Sequence, residues 1–227
     1  MASTNTFLDR IPPVTRSLLI VNVIMFVATL LNENFMIRTF ALFYPASPLF
    51  HWWQPLTHLF MHGGWWHILF NMYALVMFGS IVERSLGTKK FLILYFVTGL
   101  GAVALHLGAE WLDIHRLAAS ADPTAPTAIF DIYRSPMVGA SGAVYGVIVA
   151  FAMLYPEARM TLIFPPVTLD AKWMVIIFVG IELLTGIAQF HGFSGGLNIA
   201  HFAHLGGALF GFLLVWYWRK RGELWRR

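Results

Sequence analysis

Six long apolar runs, separated by more polar stretches, dominate the pattern of the chain. They cover residues 17–32, 67–83, 90–111, 139–155, 172–190 and 199–218. A helix needs roughly 20 mostly apolar residues to cross a bilayer, with a range of about 17–25. The runs are too long and too uniformly apolar for the alternating strands of a membrane barrel. The pattern therefore predicts six transmembrane helices, and we expect the first to extend toward Met36.

The connections between these predicted helices differ in length and composition. Two are long, 33–66 and 112–138, and the first is rich in Trp, Phe, His and Pro. Because Trp prefers the membrane–water interface, we expect loop 33–66 to lie partly in the outer leaflet. The link 156–171 contains Pro165 and Pro166, so we expect it to be irregular.

Composition places the chain among membrane proteins. Hydrophobic residues make up 58% of the 227 positions and charged residues 11%, with a mean hydropathy of +0.68. A soluble domain carries about 25% charged residues, so most of this surface must face lipid. The chain contains no cysteine, which excludes disulfides and thiolate metal sites. The net charge of +4 is not gathered into one basic patch, so nucleic-acid binding is not expected.

The distribution of Lys and Arg predicts the orientation of the six spans. Twelve basic residues fall on the side that holds both termini, and three fall on the opposite side. The terminal side has Arg10, Arg16, Arg84, Lys89, Lys90, Arg159, Lys172, Arg219, Lys220, Arg221, Arg226 and Arg227, and the opposite side has Arg38, Arg116 and Arg134. The positive-inside rule then places both termini in the cytoplasm. No small-residue cleavage site follows the first run, which we interpret as an uncleaved span. We expect one core, 17–218, flanked by segments 1–16 and 219–227.

Polar residues inside membrane spans are costly and indicate function by default. Ser141 lies at the outer end of the fourth run, in the glycine-rich stretch 139–146. A serine at a helix N-terminus sits beside free backbone N–H groups, which can hold an oxyanion. Small residues such as Gly142 and Gly146 are also how membrane helices pack, and for Ser141 alone that interpretation is favoured.

The sixth run supplies a possible partner for this serine. Gly207 and Gly211 form a small-xxx-small pair like that of the fourth run, and His204 shares their helical face. Packing the two glycine faces together would bring His204 to Ser141, where a neutral imidazole can act as general base. His201 lies on a neighbouring part of the same surface, but His204 is the histidine that we assign to this contact.

Two further polar sites lie in the apolar runs. His67 and Asn71 are spaced i, i+4, so they share one face and can both donate to a developing oxyanion. The alternatives are a polar pair that joins helices, or a zinc site with His58 and His62. No His-Glu-x-x-His motif supports zinc. Glu182 receives no catalytic role: we expect it to bond a neighbour on its own helix or to stay protonated against another helix.

Four motifs, in the same order and the same spans, resemble those of the rhomboid family of intramembrane serine proteases. They are Gly139-Ala140-Ser141-Gly142, Ala203-His204-Leu205-Gly206-Gly207, His62 with His67-Ile68-Leu69-Phe70-Asn71, and Glu83-Arg84-Ser85-Leu86-Gly87. The resemblance covers nearly the whole chain. It implies an all-α membrane protein, a six-transmembrane-helix rhomboid-like bundle with a membrane-embedded first loop.

The resemblance also implies roles for the residues already singled out. Ser141 corresponds to the nucleophile and His204 to the base, in a dyad without a carboxylate. Tyr145 corresponds to the aromatic residue on which the imidazole rests. His67 and Asn71 correspond to oxyanion-stabilising side chains, with the Ser141 backbone N–H as a further donor. Support of the dyad extends to Gly139 and Gly142.

Two loops are assigned by the same resemblance. Loop 191–198, together with the fifth span, corresponds to a mobile gate and cap over the site. The family often has Trp-Arg in the first loop, where this chain has Trp53-Gln54, which leaves open how the loop is anchored. His58 and His62 are expected to hold water at the mouth of the site.

The activity implied is that of an intramembrane serine endopeptidase. It would cleave transmembrane or juxtamembrane segments of other membrane proteins, with a small residue at the scissile bond. We expect transmembrane protein substrates and the lipid bilayer as partners, and no metal, cofactor, nucleotide or nucleic acid. A bacterial cytoplasmic membrane is the expected location. Three alternatives stay open: a noncatalytic rhomboid-like protein that binds client helices, a transporter, although no inverted repeat is visible, and a structural membrane protein.

Overall fold

Apolar helices form most of the fold in the computed structural model, which describes residues 6–161, 166–190 and 200–224. In chain order the helices are α1 (Pro13–Leu31), α2 (Glu33–Phe40), α3 (Gln54–Thr57), α4 (Trp65–Ala74), α5 (Ser80–Leu86), α6 (Thr88–Ala118), α7 (Ala125–Arg134), α8 (Ser141–Leu154), α9 (Ala171–Phe190) and α10 (Ala200–Lys220). A π-helical turn, Leu75–Gly79, joins α4 to α5. Short 3-10 turns occupy Phe7–Arg10 and His58–Phe60. The architecture is that of an all-α membrane bundle.

Each of the six apolar runs forms a helix over most of its described length. By length and composition, four helices of the described residues can cross a membrane: Pro13–Leu31, Trp65–Leu86, Thr88–Ala118 and Ala171–Ala188. The helix α8 is apolar but has only 14 residues. The existence of membrane-spanning helices is therefore established, whereas the count of six spans stays a prediction.

The first span ends earlier than the apolar pattern predicts. Helix α1 stops at Leu31, and Asn32 leaves the helical region with φ −152° and ψ 77°. The Asn32 side chain then accepts a hydrogen bond from the Phe35 N–H at 3.2 Å, which caps the start of α2. Asn is among the preferred N-cap residues. The expected extension of the first span toward Met36 is wrong for this reason.

The link between α8 and α9 is more regular than expected. Strands β1 (Arg159–Thr161) and β2 (Thr168–Asp170) pair antiparallel, with Met160 opposite Leu169. Of the two prolines, Pro166 lies two residues before β2, where a missing N–H breaks no ladder bond. Pro165 lies outside the described residues. The prediction of an irregular link was wrong where these strands pair.

Helices α6, α8 and α10 pack against one another at the centre of the bundle. A Cβ built on Gly207 would overlap the Gly142 carbonyl oxygen, and one built on Gly211 would lie 2.7 Å from the Gly146 carbonyl oxygen. Ordinary contacts of a Cβ lie at 3.4–4 Å. The predicted close crossing of α8 and α10 is therefore confirmed.

The glycines of α8 have a second function that the pattern did not predict. A Cβ on Gly142 would overlap Ala102 of α6, and one on Gly146 would lie 2.8 Å from the Thr98 hydroxyl oxygen. The small residues of α8 thus admit α6 on one side, while their backbone oxygens contact α10 on the other. Both contacts fix the position of the N-terminal end of α8.

The Glu83 motif anchors the start of α1. The Glu83 carboxylate accepts hydrogen bonds from the Val14 and Thr15 backbone N–H groups at 3.0 and 2.8 Å and from the Thr15 hydroxyl at 2.8 Å. The first N–H groups of a helix lack intrahelical partners, and an acidic group there also matches the helix dipole. This motif therefore has a structural role far from the site.

Candidate active site

The backbone that leads into α8 is held by the first loop. Leu42 and Met137 exchange two backbone hydrogen bonds of 2.9 and 2.8 Å, and the Gly139 N–H donates to the His58 carbonyl at 3.0 Å. Gly139 has φ +127°, a conformation that side chains rarely allow. A Cβ at this position would also lie 2.7 Å from the His67 Nε2. Gly139 is thus required by both its backbone conformation and its neighbour.

Ser141 is the first residue of α8, so it lies beside backbone N–H groups without helical partners. Its Oγ is 2.8 Å from the Nε2 of His204 on α10. Both side chains are partly buried. The predicted contact between a serine of the fourth run and His204, and not His201, is present in the structure.

Tyr145 lies one helical turn after Ser141 and fixes the plane of the imidazole. Its ring stacks on that of His204 with centroids 4.3 Å apart and an interplanar angle of 8°. The Tyr145 hydroxyl donates to the Glu182 Oε1 at 2.6 Å. The stacking agrees with the place that the resemblance gave to Tyr145, whereas the hydrogen bond to a carboxylate was not foreseen.

Glu182 of α9 is the residue that sequence reasoning missed. Its Oε1 lies 2.9 Å from the Nδ1 of His204, and its Oε2 lies 2.5 Å from the Nδ1 of His201. Only 12% of the side chain is exposed. The resemblance implied a serine–histidine dyad without a carboxylate, and the structure places a carboxylate next to His204. Glu182 was expected to bond a neighbour on its own helix or to lie against another helix, and it lies against α8 and α10. The available signal was its position in an apolar run, since an acidic residue there needs partners.

His67 lies next to the serine, and Asn71 lies one turn further along the same helix. The point where a Gly139 Cβ would stand is 2.7 Å from the His67 Nε2 and 3.7 Å from the Ser141 Oγ, so both side chains flank the same small space. The Asn71 amide donates to the His67 carbonyl at 2.9 Å and is buried. The structure brings His67 to the site and places Asn71 behind it.

Comparison with known proteins identifies the family. The model of the Rhomboid domain matches residues 49–221, which is most of the chain. The chain belongs to the rhomboid family. This family includes serine intramembrane proteases.

Several curated rhomboids are similar to this chain. Rhomboid protein 1, mitochondrial, of Saccharomyces cerevisiae is 32% identical over 165 residues, which cover 72% of this chain and 41% of the yeast protein. Rhomboid-like protein 11, chloroplastic, of Arabidopsis thaliana is 28% identical over 170 residues, 74% of this chain and 53% of the plant protein. Rhomboid protease AarA of Providencia stuartii is 26% identical over 183 residues, 81% of this chain and 62% of the relative. The chain thus spans about half the length of the curated relatives it matches.

Gln54 anchors the first loop of this rhomboid where the family often has arginine. Its side chain is fully buried. The amide accepts a hydrogen bond from the Phe43 N–H at 3.3 Å and donates to the carbonyls of Arg38 and Leu49 at 3.2 and 2.9 Å. Trp53 adds a hydrogen bond to the Thr39 carbonyl at 2.8 Å. A neutral amide therefore anchors the loop at this position by satisfying backbone groups.

His58 and His62 of the first loop lie inside the protein, with relative exposures of 0% and 1%. Burial lowers the pKa of His58 to about 4 and that of His62 to about 3, so both are neutral near pH 7. The expectation that they hold water at the mouth of the site stays a prediction. Among the described residues, no group of three or more His, Cys, Asp or Glu side chains is arranged to hold a metal ion. The predicted cap, 191–198, lies outside the described residues.

Proposed function

We propose that this rhomboid is an intramembrane serine endopeptidase in which Ser141 is the nucleophile and His204 the general base. The observation that carries the proposal is the distance of 2.8 Å between the Ser141 Oγ and the His204 Nε2, inside a bundle of apolar helices. A nucleophile and base within about 2.6–3.2 Å, with the base oriented by a further group, are the signature of covalent acyl transfer. Tyr145, stacked on the imidazole, supplies part of that orientation.

In the first half of the reaction, the His204 Nε2 takes the proton of the Ser141 hydroxyl as the Ser141 Oγ attacks the scissile carbonyl. The carbonyl oxygen becomes an oxyanion next to the N-terminus of α8, where the backbone N–H of Ser141 is available. We assign His67 and Asn71 as side-chain donors to this oxyanion. The imidazolium then gives its proton to the leaving amine, and an acyl-enzyme remains.

In the second half, His204 removes a proton from water as the water oxygen attacks the acyl carbon. The second tetrahedral oxyanion occupies the same donors, and its collapse expels the Ser141 oxygen, which recovers the proton from the imidazolium. The products are a carboxylic acid and an amine, so the cycle consumes one water and returns the enzyme unchanged.

The substrate class follows from the surroundings of the site. Apolar helices present side chains such as Leu184 to the surface, 69% exposed, where a second transmembrane segment can approach through lipid. We propose cleavage of transmembrane or juxtamembrane segments of other membrane proteins, with a small residue at the scissile bond. The Lys and Arg distribution supports a cytoplasmic location of both termini. A bacterial cytoplasmic membrane stays our prediction, although some matched relatives are named mitochondrial or chloroplastic.

The test is cleavage of a model transmembrane substrate by the purified protein in liposomes. Wild type should cut it, and Ser141→Ala and His204→Ala should each abolish cutting, with the double variant no worse than either single one. A fluorophosphonate should label wild type and not Ser141→Ala. Ser17→Ala is the matched control, because Ser17 is an exposed serine that bonds only its own helix at Pro13. Binding of the substrate helix by wild type without cutting or labelling would instead establish the noncatalytic alternative.

A further inference from the structure

The carboxylate of Glu182 lies on the side of the His204 imidazole away from the serine. The Ser141 Oγ lies 2.8 Å from the His204 Nε2, and the Glu182 Oε1 lies 2.9 Å from the His204 Nδ1. The three residues come from three different helices: α8, α10 and α9. Neither the family motifs nor the sequence pattern assigns a role to this glutamate.

The contact with a carboxylate decides which ring nitrogen carries the proton. An ionised carboxylate can only accept hydrogen bonds, so a neutral His204 must carry its proton on Nδ1, facing Oε1. The Nε2 lone pair then faces the Ser141 hydroxyl, which donates to it. This tautomer is the one in which His204 can take the serine proton. In the other tautomer, Nε2 would carry hydrogen toward the serine and could not act as its base.

The carboxylate itself is held in place by two further groups. The Tyr145 hydroxyl donates to Oε1 at 2.6 Å, and His201 approaches Oε2 through Nδ1 at 2.5 Å. Thr185, one turn along α9, lies 3.2 Å from the same His201 nitrogen. Donors on both oxygens fix the carboxyl plane and satisfy its acceptor sites.

We propose that Glu182 is a positioning residue that completes a Ser141–His204–Glu182 triad. It holds His204 in the Nδ1–H tautomer and stabilises the imidazolium that forms when the serine proton is taken. The inference rests on the proposed protease function, because only a reacting serine gives this tautomer a consequence. Because Ser141 lies in α8 and His204 in α10, the addition of Glu182 makes α9 part of the active site as well.

A purely structural role is the competing explanation, because the same hydrogen bonds tie α9 to α8 and α10. Glu182→Gln separates the two. The amide keeps the length of the side chain and can still bond Tyr145 and His201, but it carries no charge and can also donate. Thr185→Val is the matched control on the same helix, since Thr185 contacts His201 and not His204.

The experiment measures kcat, KM, the rate of fluorophosphonate labelling and the ¹⁵N tautomer of His204 in wild type, Glu182→Gln, Glu182→Ala and Thr185→Val. Loss of the carboxylate in a serine triad lowers kcat by about 10⁴-fold. We expect Glu182→Gln to lower kcat and the labelling rate by at least about 10²-fold, with little change in KM. The loss can be smaller than 10⁴-fold because Tyr145 still stacks on the imidazole and orients it. His204 should carry its proton on Nδ1 in wild type and lose that preference in Glu182→Ala. Thr185→Val loses a contact to His201 but keeps the carboxylate and its bond to His204, so it should lower kcat far less than Glu182→Gln does.

Wild-type kcat and labelling in a folded Glu182→Gln, with His204 still protonated on Nδ1, would overturn the triad. The triad would also be overturned if Glu182→Gln melted at a lower temperature and the unfolded fraction explained all of its lost activity. Failure of the protease function itself looks different: wild type would neither cut nor be labelled, whichever residue stands at 182. The glutamine variant keeps the proposal testable even if Glu182→Ala does not fold.

Discussion

One methyl group added at Gly207 tests whether the crossing of α8 and α10 assembles the active site. A Cβ at this position would overlap the Gly142 carbonyl oxygen and lie 2.6 Å from the carbonyl carbon. These are backbone atoms of a packed helix and cannot rotate away. One turn further along, at Gly211, the corresponding Cβ would lie 2.7 Å from the Gly146 oxygen, about 0.7 Å short of ordinary contact at 3.4 Å. Because the overlap at Gly207 is deeper, Gly207→Ala must separate the helices by on the order of 1 Å.

This separation falls directly on the reacting groups. Ser141 is the residue before Gly142, and His204 lies three residues before Gly207 on the same helical face. An increase of about 1 Å in the distance between the serine oxygen and the imidazole nitrogen can lower the rate by about 10²-fold. Overpacking of this kind typically costs about 1–3 kcal/mol of stability. We expect both losses together in Gly207→Ala, and larger ones in Gly207→Val and Gly146→Val.

The assay pairs cleavage of a transmembrane substrate with melting in detergent. Gly180→Ala on α9 is the control, because a Cβ at Gly180 meets nothing within 4 Å. The same chemical change should therefore be nearly neutral there, while Ser141→Ala should lose activity and keep its melting temperature. A Gly207→Ala protein that melts and cuts like wild type would refute the argument that backbone contact at this crossing sets the distance between Ser141 and His204.

Three other predictions concern groups around the site. Removal of one oxyanion donor costs roughly 10²–10³ in kcat, so His67→Ala and Asn71→Ala should show graded losses of kcat with little change in KM. Gln54→Leu leaves several buried backbone groups without a partner and should lower the free energy of unfolding by about 1–3 kcal/mol, measured by denaturation. The pKa of His58 is about 4 in the folded protein against 6.5 ordinarily. The unfolded state therefore binds the extra proton first, and stability should be full above about pH 6.5 and fall by on the order of 3 kcal/mol toward pH 4.

Each of these has its own control. Unchanged kcat with weakened substrate binding in Asn71→Ala would indicate a packing role for the amide. Gln54→Leu should be compared with Leu56→Ala, an exposed position in the same helix, and equal melting of the two would contradict the anchoring role. For the pH dependence, His58→Gln should lower the slope between pH 6.5 and 4 by about one half, because His62, with a pKa of about 3, contributes over the same range. A slope that is unchanged in His58→Gln would show that His58 does not contribute to the acid sensitivity.

The fold was predictable wherever hydrophobicity alone decides the outcome. Lipid leaves backbone groups no partners, so a long apolar run has to become a helix, and every run did. The errors arose where a local polar contact overrides that trend. Asn32 ends α1 because its side chain can cap α2, and the short strands after α8 pair across Met160 and Leu169. Neither contact changes the hydropathy pattern, so neither was visible in it.

The site divides in the same way. Ser141 and His204 could be paired from the sequence because each has glycines at helical spacing, and such glycines predict which faces of two helices meet. Glu182 has no such marker: α9 has Gly180 in open space and no glycine pair facing α8 or α10. The rotation of α9 about its own axis was therefore undetermined. Because that rotation decides which helix Glu182 faces, the partners of Glu182 could not be predicted either.

The partners found for Glu182 explain why polar residues can be placed at this depth. Each polar residue of the site forms a hydrogen bond with at least one other, although each alone would be costly in lipid. The residues are Ser141, His204, Tyr145, His201 and Glu182. The loss of a group that bonds the Glu182 carboxylate leaves a buried acceptor exposed to that cost. Effects of mutations within this network should therefore be strongly non-additive in stability and in kcat. The same hydrogen bonds would then both select the reactive tautomer of His204 and hold α9 in position. Comparison of Glu182→Gln with Thr185→Val separates these two effects.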